Sequence, residues 1–358
     1  METRAYDLAV IGAGPAGSAC AITAARAGAS VLLLEKDQFP RHKVCGEFVS
    51  PESLRLLEWL LGGKRFEGKP EIKESRVFSG GKVITLPISP CARSIPRYEL
   101  DRALLEAARE AGAHAEESVT VREVEQQDVF HIRTTNSTFT ARAVVNATGR
   151  WSQLTQPRPP QKEKWIGLKA HFQEAEPHPS TDLYFFEGGY CGVQPVSSTA
   201  VNACAMVRAD AARTLQEVFD RHPELRARSR DWQPLFAPVT TSSLYFRKPQ
   251  TEHRGMVLAG DSAAFIDPFA GDGISMALHT GSLAAESLLS FLQAKCSLAE
   301  SQQQYRTTYF KRFAPAFRNA ARLRMLLSAP AWLSSKLIRL AGTRPVARMI
   351  VQGTRAQV

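Results

Sequence analysis

Three stretches carry residue types at spacings that could do chemistry. In GAGPAG, Gly12, Gly14 and Gly17 frame Pro15 and Ala16 and match G-x-G-x-x-G. In that pattern the first glycine permits a tight turn, the second lets backbone N–H groups approach a pyrophosphate, and the third lets a helix pack closely on a strand. The helix N-terminus then faces the anion. Glu35 ends the next apolar run, VLLL, where a carboxylate can accept hydrogen bonds from an adenosine ribose. The second stretch, FPRHKVCGEF at 39–48, sets Cys45 beside Gly46 and Glu47. Cys45 can be read as a redox thiol, a metal ligand or a small residue lining a cofactor pocket, and Gly46 allows close backbone approach. Glu47 could exchange protons with a substrate or pair with Lys43 or Arg41. In the third stretch, Gly260 and Asp261 follow an apolar run, then Pro268, Gly271 and Gly273 bend the chain before a helix starting near Ile274. A carboxylate there can hold sugar-like hydroxyls, and the helix N-terminus can stabilise anionic charge. On these residues alone, FAD and NAD are equally served.

The elements that must position these residues follow from hydrophobic patterning. YDLAVI (6–11), the glycine turn, the alanine-rich helix ending at Gly28, and VLLLEK (31–36) form the first strand–helix–strand unit of a doubly wound sheet. PESLRLLEWLL (51–61) reads as a helix with Pro51 in its first turn. ESRVFSGGKVITL reads as a hairpin, RYELDRALLEAAREAGA as a helix, and Val119–Val124, Phe130–Arg133 and RAVVNATG (142–149) as strands. After the polar connector PRPPQKEK (157–164), strands are expected at 166–172, 182–186, 192–196, 201–207 and in LYFRKP (244–249). MVLAGD (256–261) resumes the buried-strand style, a helix follows over 275–293, and most of the remainder reads as helical.

Composition narrows the classes. The chain has 358 residues, 44% of them apolar, and a net charge of +10 spread along its length. No basic block or zinc-finger spacing marks a nucleic-acid binder. Six cysteines show no C-x-x-C pair, so neither a metal site nor a secreted disulfide scaffold is expected, and a cytoplasmic setting is. The apolar stretch from Leu8 to Ala27 is interrupted by Gly12, Gly14, Pro15 and Gly17 and lacks a charged leader, so it reads as neither signal peptide nor membrane span. Residues 328–355 mix Trp332, Leu333 and Ile338 with Lys336, Arg339 and Arg344. That pattern suits either helices covering a sheet or an interfacial helix, hence possible peripheral membrane association.

GAGPAG with Glu35, RYELDRAL with Arg97, and GDSAAFIDPFAGDGI occur in an order that resembles the FAD-dependent oxidoreductases comprising aromatic hydroxylases, flavin halogenases and geranylgeranyl reductases. The resemblance spans roughly residues 6–290. It implies an α/β fold with a Rossmann-type FAD-binding domain (1–70, 97–156 and 250–297), an inserted, mostly antiparallel β substrate domain (71–96 and 157–249), and a helical C-terminal region (298–358). It implies that Asp261 binds the ribityl chain, that Pro268 to Ile274 border the isoalloxazine ring, and that Arg97 lies near the phosphates and ribityl part. Lys36, Arg41, Cys45, Gly46, Gly149 and Gly260 join the expected cofactor contacts. Phe48, Tyr190, Gly192, Gln194 and Phe269 are the expected substrate lining, with ordinary sheet packing the alternative for Tyr190. Cys45 is then a small polarizable group near the ring edge, with a substrate contact and simple burial as alternatives.

The resemblance divides over the reaction. The halogenases carry a tryptophan motif and a lysine, whereas GYCGVQPV (189–196) has Gly192 where an aromatic would sit and Lys82 lies in a hairpin turn. Geranylgeranyl reductases also carry aromatics there. Hydroxylases have Asp-Gly where this chain has Thr148-Gly149-Arg150. Cys-Gly-Glu and DPFAGDGI lean instead toward reductases and halogenases. The expectation is a monooxygenase hydroxylating a lipophilic aromatic through a flavin C4a-hydroperoxide, with NAD(P)H as transient donor. Alkene saturation by a geranylgeranyl-reductase-like enzyme is the alternative, and a non-catalytic flavin-binding protein the third reading.

Overall fold

The computed structural model describes residues 4–64, 66–79, 81–151, 154, 164–241, 244, 248–265 and 271–327. The chain opens with β1 (Arg4–Ile11), α1 (Pro15–Arg26) and β2 (Val31–Leu34), followed by β3 (Phe48–Val49) and α2 (Pro51–Leu60). β4 (Glu71–Ser79) and β5 (Lys82–Ser94) form an antiparallel hairpin, and α3 (Arg97–Glu110) follows. Then come β6 (His114–Glu116), β7 (Val121–Gln126), β8 (Phe130–Thr134) and β9 (Thr138–Asn146). β10 (Trp165–Gln173), β11 (Ser180–Phe186), β12 (Gly189–Ser197) and β13 (Ala200–Arg208) precede α4 (Leu215–Phe219), α5 (Pro223–Arg228) and β14 (Val239–Thr240). β15 (Glu252–His253), β16 (Met256–Leu258), α6 (Gly273–Leu292) and α7 (Leu298–Leu327) complete the described chain.

These strands make two eight-stranded sheets. The first has the order β15-β16-β9-β1-β2-β6, with β8 also on β9 and β7 on β8. β16, β9, β1, β2 and β6 run parallel, and the apolar runs of β16, β9, β1 and β2 are buried on both faces as central parallel strands require. The small side chains of α1 are buried from Pro15 to Ala24, which lets the helix lie close to this sheet and to α6. The second sheet has the order β14-β10-β13-β12-β11-β4-β5-β3 and is antiparallel except for the β4–β11 pair. One face packs Leu168, Ala170, Phe172, Val201 and Ala203 against α4 and α5 in a core of its own. The opposite face, alternating along the same strands, turns toward loop 39–48. The α/β Rossmann-type class inferred from sequence is therefore the observed class.

Several local expectations change. The segment 244–249 is no strand where described: Leu244 makes one bridge, to Trp165, and residues 248–249 are irregular. β7 begins at Val121 rather than Val119. Phe48–Val49 is a short strand that pairs with β5, placing the end of loop 39–48 in the second sheet. α4 and α5 were not anticipated, although Thr214 accepts a hydrogen bond from Glu217 N at 3.2 Å, the T-x-x-E start signal of a helix. The connector 157–163, Pro268, Phe269 and residues 328–358 lie outside the described residues. No described helix is long and apolar enough to cross a membrane.

Candidate active site

One cavity of about 610 Å³ runs from the glycine turn to the inner face of the second sheet. At its first end, Gly12 has φ +98°, and a Cβ there would come within 2.6 Å of the Ala147 carbonyl oxygen, so β1 and β9 close on each other at this turn. A Cβ at Gly17 would overlap the Gly12 carbonyl oxygen. That glycine serves helix-on-turn packing and does not line the cavity. Gly14 differs: a Cβ built on it meets only the Arg97 guanidinium, at 4.0 Å. The turn thus keeps a space open beside the N-terminus of α1, lined by Gly14, Pro15 and Ala16. That is the arrangement a pyrophosphate needs.

Glu35 is buried at the end of β2. Its Oε2 accepts from Ala13 N at 2.8 Å and its Oε1 from Asp37 N at 3.1 Å, fixing the carboxylate at the cavity wall. Lys36 lines the cavity from an exposed position. Arg41 lines it too, within 3.0 Å of Asp37 and 3.6 Å of Glu35. Lys43 stands with Arg41 and Arg97; burial and those two cations push its ammonium down to about 8. Arg97, at the first turn of α3, is clamped by Asp101 through bonds of 2.7 and 2.8 Å. Burial disfavours its charge, but Asp101 and Cys45 outweigh that and raise its pKa. Three cations therefore ring the end of the cavity where a dinucleotide's phosphates belong.

Farther along, Gly149, Gly260, Asp261, Gly271, Gly273 and Ile274 all line the cavity. Gly149 N donates to Ser262 Oγ at 2.8 Å, tying the turn after β9 to the one after β16. Asp261 faces Arg150, with Nε to Oδ2 at 3.3 Å. Burial lowers the Arg150 pKa, and the Asp261 charge offsets part of that. Arg150 is a site residue that the sequence reading treated only as a departure from a pattern. Its signal was position: it follows directly on Gly149, in the turn after β9.

Cys45 and Gly46 also line the cavity. Cys45 is a free thiol, with Glu47 N donating to its Sγ at 3.3 Å. Cys204 of β13, likewise free, lines the same cavity and was missed, because an apolar strand gives no sign of which face meets the loop. Phe48, Tyr190, Gly192 and Gln194 line the far part. Gln194 Nε2 donates to Ser94 Oγ at 2.7 Å. Tyr190 packs beside Met206, Leu244 and Phe185, so it serves both wall and sheet core. Val77, Ile84, Leu86 and Leu183 extend the apolar wall.

Glu47 departs from its expected partners. Its carboxylate is fully buried and pairs with Lys169 and His171 of β10, not with Lys43 or Arg41. The reason is local. Glu47 has φ +64°, a left-handed turn that directs its side chain away from the cation ring and into the second sheet. Burial would raise its pKa, but the His171 hydrogen bond and the Lys169 charge prevail and hold the carboxyl below its ordinary value. Among the described residues no group of three or more His, Cys, Asp or Glu side chains could hold a metal ion.

An open glycine turn, a buried carboxylate at the end of β2 and a ring of cations form a site that a dinucleotide such as FAD would fit, with space left open at Gly14. The family model for the FAD binding domain matches residues 5–314, and the chain belongs to that family. It is 28% identical to a menaquinone reductase of Mycolicibacterium smegmatis, over 93% of this chain and 87% of that protein. It is 26% identical to digeranylgeranylglycerophospholipid reductase 2 of Methanopyrus kandleri, over 90% of this chain and 87% of that one. Among solved structures it is similar to a geranylgeranyl bacteriochlorophyll reductase-like protein from Thermoplasma acidophilum (TM-score 0.81, 22% identity, 99% of this chain and 96% of that one). A flavin-dependent brominase also shares the fold (TM-score 0.80, 21% identity, 97% and 93%). The protein is an FAD-dependent oxidoreductase.

Proposed function

We propose that this protein is a flavin-dependent reductase that saturates a carbon–carbon double bond in a lipophilic, isoprenoid-like substrate. The observation that carries this reading is the apolar extension of the cavity. Ile84, Leu86, Leu183, Phe185 and Met206 continue it from the Cys45–Phe48 turn along the inner face of the second sheet. An aliphatic chain laid there would lose apolar surface to solvent at roughly 25 cal/mol per Å², with its reactive end directed toward the turn. The similarity to two reductases of lipid-like molecules supports the same reading.

Bound FAD would supply the hydride. Gly14, Pro15 and the N-terminus of α1 would hold its pyrophosphate, with Arg41, Lys43 and Arg97 balancing the charge. Glu35 would accept from the adenosine ribose and Asp261 from the ribityl hydroxyls, with Arg150 orienting the Asp261 carboxylate. The Cys45–Gly46 turn and the first turn of α6 would border the reacting end, and the apolar wall would exclude water. NAD(P)H is proposed as the transient electron donor. Attachment to an anionic bilayer through the basic, apolar sequence 328–355 belongs to the same proposal. Co-sedimentation with anionic vesicles at low salt tests it, and no binding ends it.

Hydroxylation of a lipophilic aromatic, the reaction expected from sequence, is kept as the second reading because of Gly192. A Cβ there meets only Leu183 at 3.5 Å and Cys204 O at 3.7 Å, so a flat ring has room above the strand. One experiment separates the two. The FAD-loaded protein is reduced chemically without oxygen, mixed with a polyprenyl quinone or geranylgeranyl lipid, and the lipid is analysed by mass spectrometry. Gain of two hydrogens located by fragmentation in the isoprenoid chain, not in the quinone ring, with anaerobic flavin reoxidation is the expected result. Reoxidation only with oxygen, together with oxygen transfer to a phenol, would replace the reductase reading by the hydroxylase.

A further inference from the structure

Loop 43–48 is held largely from the second sheet, with two backbone donors added by the junction between β5 and α3. Along the inner face of β10 and β13 stand Gly167, Lys169, His171, Asn202 and Cys204, with Lys169 opposite Cys204 and His171 opposite Asn202. Val44 sits on Gly167, where a Cβ would come within 2.8 Å of Val44 Cγ1. Asn202 Nδ2 donates to both Cys45 O and Gly46 O, at 3.0 and 2.9 Å. Glu47 Oε2 meets His171 Nε2 at 2.7 Å, and Oε1 accepts from Lys169 Nζ and, at 2.8 Å, from Arg97 N. Glu47 O takes Ile95 N at 2.9 Å.

Two features give this arrangement a purpose beyond stability. Lys169 and Glu47 both have fully buried side chains, and a buried ion pair contributes little net stability against an apolar pair of the same volume. Glu47 also adopts a left-handed backbone that disfavours a non-glycine residue and persists only where its surroundings over-determine it. What the pair does achieve is geometric. It locks a strained turn whose preceding residues, Cys45 and Gly46, form the cavity wall.

We propose that Lys169 and His171 are positioning residues which, through the Glu47 carboxylate, set the Cys45–Gly46 turn against bound FAD and thereby tune its redox potential. Neither residue lines the cavity, and both belong to the sheet that forms the substrate wall. The sheet that receives the substrate therefore also dictates the shape of the cofactor-facing turn. The proposal needs the cavity to hold FAD but is independent of which substrate is reduced or hydroxylated.

The test uses the FAD-loaded full chain. Lys169→Met removes the cation and leaves the Glu47 anion short of a partner. The added negative charge opposes flavin reduction, so the midpoint potential should fall by at least a tenfold change in the reduction equilibrium, about 30 mV for a two-electron couple. The visible circular dichroism of the bound flavin should change with it. His171→Gln, which keeps a donor to Glu47, should retain most of the wild-type spectrum, whereas His171→Leu should not. Should Lys169→Met fail to fold, the double variant Glu47→Gln/Lys169→Met removes both charges, and an altered visible circular dichroism is expected of it. Wild-type potential and dichroism in folded Lys169→Met, or wild-type dichroism in the double variant, overturns the proposal. Neither readout requires a substrate, so this result stands apart from the outcome of the reductase test.

Discussion

Gly14→Ala separates binding from folding more cleanly than any other change in the site. The backbone at Gly14 has φ −68° and ψ −178°, which alanine adopts without strain, and its Cβ would meet only Arg97 at 4.0 Å. The FAD-free protein should therefore lose no stability. Reduced freedom of the unfolded chain should instead add about 0.4–1 kcal/mol. The methyl points toward Arg97 and into the cavity, where phosphate oxygens must come within about 2.7–3.2 Å of backbone N–H groups. Overpacking of that kind costs roughly 1–3 kcal/mol. At 1.4 kcal/mol per decade, FAD should bind about 5- to 150-fold more weakly. Quenching of FAD fluorescence on titration with apoprotein gives the affinity, and thermal melting of the apoprotein gives the stability. Gly17→Ala is the contrasting variant: its Cβ collides with the Gly12 carbonyl, so it should destabilise the apoprotein itself. An FAD affinity within twofold of wild type for Gly14→Ala would refute the assignment of this turn to the pyrophosphate. A marked drop in its melting temperature would refute the geometry.

Lys43 predicts a pH dependence of cofactor binding. Its folded pKa of about 8 lies below the ordinary 10.5, so the cost of burying its charge is present below pH 8 and is relieved as pH rises from 8 toward 10.5. Apoprotein stability should gain from this group over that window, while FAD affinity should fall, by at most tenfold per pH unit. Lys43→Met should flatten the affinity profile, and an unaltered profile in that variant would remove Lys43 from the phosphate site. Gly192→Trp fills the apolar end of the cavity. It should abolish turnover of a lipophilic substrate while FAD affinity stays within about threefold, and normal turnover would show that substrate lies elsewhere. Asp182, buried on β11, takes bonds from Arg76 Nε at 2.7 Å, Arg228 Nη1 at 2.6 Å and Ser180 Oγ at 2.6 Å. Asp182→Ala leaves two guanidinium groups short of their anion and should cost about 3–5 kcal/mol in denaturant unfolding. A loss under 1 kcal/mol would show that Glu174 alone suffices for Arg228.

The amino-acid sequence by itself determined the parts whose physics is local. A glycine turn between an apolar strand and an alanine-rich helix has one productive conformation, so the places of Gly12, Gly14, Gly17 and Glu35 were legible. The turns after β9 and β16 were legible for the same reason, since glycines and a carboxylate end buried strands there. Only the tertiary structure decided what Glu47 does. Its partners, Lys169 and His171, lie 122 and 124 residues away in WIGLKAHFQ, a strand that the sequence places but does not orient. Which face of an antiparallel strand meets water depends on what docks against it, and here loop 39–48 docks on the polar one. The same holds for Cys204 and for the Arg150–Asp261 pair. Alternation along a strand divides its residues into two faces, but only the packing of the two sheets says which of them closes the cavity.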